Sequence, residues 1–308
     1  MTIGIPAPRR SIRILGIETA YYRIQPATPP PRPRPAVVLL HGGAPGASSD
    51  LNWFRNTEAL TGAGYELIAY DQPGFGHSGI PADHGIEFRY RHAVAFLQAM
   101  APEAVHLVGN SIGGLLCCLI ALRSAPGPAV RSLALAAPYP FFDIPVDAAA
   151  RLAAHRSRLA GIEPTFDSIR RLCLNTFHEA RQVTDDIVAL RLASLQGERW
   201  DACQARAAVS RQFDQDAVRH AVVHLPSLLV WGLDDNSLPH EIGLAARRHF
   251  SDARILLLPR CGHWPQTEQW EIFNHNLLGF LEMNPPAPEG GPEAGRDGAP
   301  QAGTGAHR

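Results

Sequence analysis

Gly109-Asn110-Ser111-Ile112-Gly113, followed by Gly114, sets a serine between glycines, directly after the apolar run Val105–Val108 and directly before an apolar helical pattern. A strand, a tight turn and a helix in that order push a serine hydroxyl out to where a base can take its proton. The helix N-terminus beyond it favours developing negative charge. Two later stretches offer the base and its orienting acid. Trp231-Gly232-Leu233-Asp234-Asp235 ends an apolar run, and Asp235 or Asp234 could orient a histidine. Cys261-Gly262-His263-Trp264 follows the last apolar run, and its imidazole could reach the serine. The chain order Ser, Asp, His differs from both familiar protease orders. The plainer readings are an incidental serine in a Gly-rich turn and a structural histidine, one of 14 in the chain.

An acyl-transfer serine also needs donors for the oxyanion. His41-Gly42-Gly43-Ala44-Pro45-Gly46 follows the run Val37–Leu40, where such a donor is expected. Gly42 or Gly43 would give one N–H and Ile112 the other. A plain Gly/Pro turn is the alternative. His41 reads as support for this loop rather than as the base.

The composition narrows the chemistry. The 308 residues are 45% hydrophobic, enough for a full core, and the net charge of −1 gives no electrostatic case for nucleic acid or an anionic membrane. All 28 basic residues are Arg, which excludes a Schiff-base or phosphate-loop lysine. The cysteines are five, with no C-x-x-C spacing, so neither a disulfide framework nor a structural zinc site is expected. No His/Cys/carboxylate cluster has metal-ligand spacing, so the expectation is no metal and no cofactor. With no secretory pattern and no apolar stretch of spanning length, the expected location is cytoplasmic.

Elements must position these residues. Short apolar runs at Ala36–Leu40, Glu66–Tyr70, Ala104–Gly109, Val130–Ala136, Ser227–Trp231 and Arg254–Leu258 lack polar alternation, as buried parallel strands do. Helical patterns cover Asn52–Thr61, Ile86–Met100, Ile112–Ser124, Pro239–His249 and Gln266–Leu281. This alternation predicts an α/β, doubly wound, mostly parallel sheet. The rhythm breaks over 140–219, where helical patterns such as Asp147–Leu159 and Asp185–Leu195 predict a lid over the carboxyl edge of the sheet, the edge at which open α/β folds bind ligands. The expected organisation is an N-terminal segment with a Pro-rich connector (1–35), a core (36–139 and 220–283), the lid, and a disordered Gly/Pro/Ala-rich tail (284–308).

Asp71-Gln72-Pro73-Gly74-Phe75-Gly76-His77-Ser78 resembles the D-x-P-G-x-G-x-S turn of α/β-hydrolases. His41–Gly46, Asn52-Trp53-Phe54-Arg55-Asn56, Asn110–Gly114 and Cys261–Trp264 resemble the corresponding stretches of meta-cleavage product hydrolases, which split carbon–carbon bonds in ring-opened aromatic catabolites. The resemblance implies an α/β-hydrolase fold with a helical lid after the sixth strand. It also implies Ser111 as nucleophile, His263 as base and Asp235, four residues after Trp231, as the acid. It further implies that Asn52, Asn110, Arg191 and Trp264 lie near the substrate, with Arg191 on its carboxylate. The substrate would be a 2-hydroxy-6-oxo-hexa-2,4-dienoate type small molecule, and a homodimer is common in the family. This chain carries Asn236 where those enzymes often have Arg. Ser111 stands where dehalogenases and epoxide hydrolases of the fold carry Asp. The alternatives are a carboxylesterase or lactonase, and a ligand-binding protein with a silent triad.

Overall fold

The computed structural model describes residues 3–26, 28–158, 161–209 and 213–285. A hairpin comes first, β1 (Arg10–Ile14) and β2 (Ile17–Ile24). Its turn is Leu15-Gly16, with φ of 47° and 81°, as a two-residue hairpin turn compatible with strand twist requires. Then follow β3 (Ala36–Leu40), β4 (Leu67–Tyr70), β5 (Ala104–Asn110), β6 (Ala129–Ala136), β7 (Ser227–Gly232) and β8 (Ala253–Leu258). All eight join one sheet in the order β1-β2-β4-β3-β5-β6-β7-β8. β1 and β2 pair antiparallel, β2 and β4 likewise, and every later pairing is parallel. The sheet therefore starts well before residue 36. Sequence reading missed the hairpin because the edge strand β1 and its neighbour β2 are partly exposed and carry arginines among their apolar residues.

The helices are α1 (Ser49–Trp53), α2 (Thr57–Gly62), α3 (Ile86–Met100), α4 (Ile112–Leu122), α5 (Val146–Arg158), α6 (Phe166–Thr176), α7 (Asp185–Ala193), α8 (Glu198–Val209), α9 (His240–Ala246), α10 (Pro265–Glu268) and α11 (Trp270–Glu282). Alternate strand residues feed two cores. Val38, Leu40 and Ile68 pack with Phe96, Leu115 and Ile242 on one face, while Val37, Leu39 and Leu67 pack with Leu60, Phe273 and Leu277 on the other. A third cluster joins Leu51 and Trp264 to Ile169 and Val188 of the helices between β6 and β7.

Two expected helices are each divided. The Asn52–Thr61 pattern splits into α1 and α2, because the Asn56 N–H closes a tight turn on Trp53 O at 2.9 Å. Its side chain donates instead to Gln266 O (3.0 Å) and Asn274 Oδ1 (2.7 Å). The Gln266–Leu281 pattern breaks at Gln269, whose φ of −127° and ψ of 50° lie outside the helical region. The expected tail lies outside the described residues from 286 onward. No helix among the described residues is long and apolar enough to cross a membrane. All five cysteines are buried and unpaired, and burial pushes their thiols up.

β3 lies between β4 and β5, so the winding reverses beside it. A crevice opens at the carboxyl ends of β3 and β5 at such a point. The 41–46 loop leaves β3 there, and the serine turn leaves β5.

Candidate active site

Ser111 holds the turn between β5 and α4 with φ 53° and ψ −120°. A serine in that region stores about 1–3 kcal/mol and needs surroundings that enforce it. They do: its N–H donates to Ala136 O at 3.0 Å, and its carbonyl accepts from Tyr139 N at 2.9 Å and Leu115 N at 3.1 Å. The flanking glycines are steric requirements. A Cβ on Gly109 would stand 2.6 Å from Gly113 O, and one on Gly113 would collide with the carbonyls of Leu40 and His41.

His263 Nδ1 lies 2.7 Å from Asp235 Oδ2. Asp235 is fully buried, and its Oδ1 accepts from Ser237 N (2.7 Å) and Leu238 N (2.9 Å). With Nδ1 donating to the carboxylate, His263 Nε2 is left as an acceptor for a hydroxyl proton. Asp234, next in sequence, has a half-exposed carboxylate that faces His178 Nδ1 at 3.5 Å instead. The geometry thus separates the two aspartates that spacing alone left open.

Ser111 and His263 line one cavity of about 520 Å³, together with Gly43 and Ile112. Its walls include Leu152, Leu172, Trp200 and Arg206 from the helices between β6 and β7. Gly42 does not line it, and the Gly42 N–H is spent on Asn52 Oδ1 at 3.4 Å. His41 donates from Nδ1 to Gly42 O (2.7 Å) and accepts from Gln72 N at Nε2 (2.9 Å). Burial drives its pKa down to about 3, so it is a neutral brace with no free nitrogen for proton transfer.

The other four expected residues stand just behind the cavity wall, and none is among its lining residues. Asn52 Nδ2 donates to Asn110 Oδ1 at 3.3 Å. Asn110 Nδ2 reaches Ala136 O (3.0 Å) and His263 O (3.3 Å). The two asparagines thus tie the 41–46 loop, the serine turn and the histidine loop together. The Arg191 guanidinium sits 4.5 Å over the Trp264 ring and donates from Nη1 to Pro45 O at 2.9 Å, while its Nε has no partner.

Sequence reading missed Glu268. Its buried carboxylate accepts from His178 N (2.8 Å), Gly262 N (2.9 Å) and Trp264 N (2.9 Å). Burial raises its pKa against the pull of those three bonds. It fixes the loop that carries His263, whose own N–H is held by Thr176 O at 2.9 Å.

Among the described residues no group of three or more His, Cys, Asp or Glu is placed to hold a metal ion. A serine, an imidazole paired to a buried carboxylate, and free N–H groups around one apolar cavity suit acyl transfer.

The chain is similar to known proteins. The Alpha/beta hydrolase family matches residues 37–275. A 2-hydroxy-6-oxononadienedioate/2-hydroxy-6-oxononatrienedioate hydrolase of Paraburkholderia xenovorans is 33% identical over 258 residues, 80% of this chain and 86% of that relative. A 2-hydroxy-6-oxo-6-phenylhexa-2,4-dienoate hydrolase of Comamonas testosteroni is 29% identical over 270 residues, 80% of this chain and 88% of the relative. The solved meta-cleavage product hydrolase of Pseudomonas fluorescens superposes with a TM-score of 0.73 at 26% identity, covering 89% of this chain and 97% of the other.

Proposed function

Because this chain belongs to the α/β hydrolase family, and is an enzyme of it, we propose that Ser111, His263 and Asp235 form its catalytic triad. We propose further that it hydrolyses a carbon–carbon bond in a 2-hydroxy-6-oxo-dienoate. The observation that carries the triad is the 2.7 Å His263–Asp235 contact on the same cavity as a strained Ser111. The substrate class rests on the relatives' activities.

In this reading the dienol end ketonises in the site. His263 then takes the Ser111 proton, and the serine, or a water activated by the same pair, adds to the C6 ketone. Asp235 holds the imidazole in the right tautomer and stabilises its cation. Gly43 and Ile112 donate to the oxyanion; Gly42 is already committed to Asn52. Collapse breaks the C5–C6 bond, the diene fragment leaves as a stabilised carbanion, and water releases the acyl half as a carboxylic acid. Arg191 binds the C1 carboxylate when the wall at Pro45 yields its hydrogen bond. Asn52 and Asn110 keep the three loops in register, and Trp264 holds the face of Arg191.

Loss of dienoate absorbance on mixing with wild type, absent with Ser111→Ala, tests the proposal. One observation favours a second reading, a carboxylesterase or lactonase: Arg191, the group that would hold a substrate carboxylate, does not line the cavity in this structure. Turnover of p-nitrophenyl esters without any turnover of dienoates would establish that alternative.

A further inference from the structure

Three guanidinium groups lie buried beside this cavity, and the proposed reaction uses only one. Arg89, Arg191 and Arg206 are at most 4% exposed. Burial lowers the pKa of each, and no carboxylate is among the charges acting on them. A buried cation with no carboxylate beside it is costly, and an anion arriving later would offset that cost.

Arg206 is the one that lines the cavity. It comes from α8, which also presents Trp200, Cys203 and Ala207 to the cavity, the spacing of a single helix face. Its guanidinium lies 3.7 Å over the Phe75 ring and donates from Nη1 to Gly74 O at 3.2 Å. The Cys203 thiol on the same helix also contacts the guanidinium, but no carboxylate among the described residues engages the fork. Arg89 shares the same ring at 5.1 Å. Its Nε and Nη2 both rest on Gln72 Oε1, while its Nη1 has no partner. A methyl group on Gly43 would stand 3.7 Å from that Nη1, so this second charge backs the loop that borders the cavity. The two cations act on each other: after burial itself, Arg206 is the next cause that brings Arg89 down to about 9.

We propose that Arg206, backed by Arg89, forms a second anion subsite of the cavity and takes a carboxylate on the acyl side of the substrate. The inference rests on the reaction proposed above. A nine-carbon dioate cut between C5 and C6 leaves C6 to C9, a succinyl group. Its carbonyl carbon is the one Ser111 attacks, and its far end is a carboxylate. With Arg191 on the C1 carboxylate, the cavity would select a dicarboxylic substrate over a phenyl or alkyl ketone of similar length. Arg89 touches no substrate here. It keeps the field at the subsite positive and holds the Phe75 ring against Arg206.

The test uses paired substrates: p-nitrophenyl hydrogen succinate against p-nitrophenyl butyrate, and a 6-oxo-nonadienedioate against a 6-oxo-6-phenyl dienoate. For Arg206→Gln, kcat/KM should fall about 30- to 300-fold more on the dicarboxylic member of each pair than on its partner. Equal losses on both members would overturn the subsite and make Arg206 a structural residue. If the variant folds poorly, wild type alone decides: succinate should inhibit competitively at least about tenfold more tightly than butyrate, and equal inhibition constants would overturn the subsite. Failure of the wild type on both dienoates, with the succinyl preference intact, would remove the carbon–carbon reading and leave the subsite standing. Dienoate turnover with no dicarboxylate preference would do the reverse.

Discussion

His263 Nδ1 and Asp235 Oδ2 are 2.7 Å apart, and the carboxylate has no exposure to solvent. Its other oxygen is fixed by two backbone N–H groups, so the imidazole is oriented against a rigid reference. Asp235→Asn cannot accept from Nδ1 in the same way and favours the wrong tautomer. It should lower kcat by about three to four orders of magnitude. Asp234→Asn, at the half-exposed neighbour, should change kcat by less than about threefold. Steady-state kinetics on one p-nitrophenyl ester ranks the two, and the reverse order would move the acid to Asp234.

Ser111→Ala should abolish turnover, by about four to six orders of magnitude in kcat, with the melting temperature held within a few degrees. The backbone bonds that enforce the turn do not involve the hydroxyl. A fluorophosphonate should label the wild type rapidly and the variant not at all. Near-wild-type activity in Ser111→Ala would sink the triad.

Arg191→Ala should cost about 30- to 1000-fold in kcat/KM on a dienoate carrying the C1 carboxylate. Because Nη1 also holds Pro45 O beside the oxyanion loop, a neutral ester should lose something too, by about tenfold at most. Arg191→Lys should restore little, since an ammonium cannot stack on Trp264 and fork at once. Equal losses on both substrates would make the residue a structural one.

Acid should destabilise the fold through its buried histidines. Burial lowers His41 to about 3 and His92 and His106 to about 4, against 6.5 for a free imidazole. A lowered pKa means that the unfolded chain takes up protons the native state refuses. Full stability is therefore present above about pH 6.5 and is lost as pH falls toward 4, by about 1.4 kcal/mol per pH unit for each histidine. Asp71 and Glu268, raised by burial, act in the opposite sense. The measurement is the difference in unfolding free energy between wild type and His92→Gln from pH 7 to 4. The variant's curve should be flatter, and parallel curves would refute the assignment.

The serine turn and the loop after β3 were legible because each is a short local pattern of glycines directly after an apolar run. Gly109, whose Cβ would meet Gly113 O four residues on, shows why such a turn needs glycine. The choice of Asp235 over Asp234 needed a family resemblance or coordinates, since burial is not written in a dipeptide. Arg206 was invisible: in a chain whose basic residues are all Arg, a buried guanidinium and a solvated one look the same. Glu268 carries no motif either. The only hint is an acid at the start of a short helix, where free N–H groups collect. The proposed preference for Gly43 over Gly42 as oxyanion donor rests on where Asn52 spends its oxygen.

The five sheltered thiols turn the molecule into its own stopwatch. Only a thiolate alkylates, so each cysteine must wait for its surroundings to part before a reagent can mark it. Cys203 borders the cavity from α8, whereas Cys117 and Cys118 are packed in α4 against the sheet. The interval between the first mark and the later two reads, in a single sample and with no engineered probe, how often the roof lifts relative to how often the whole house comes down.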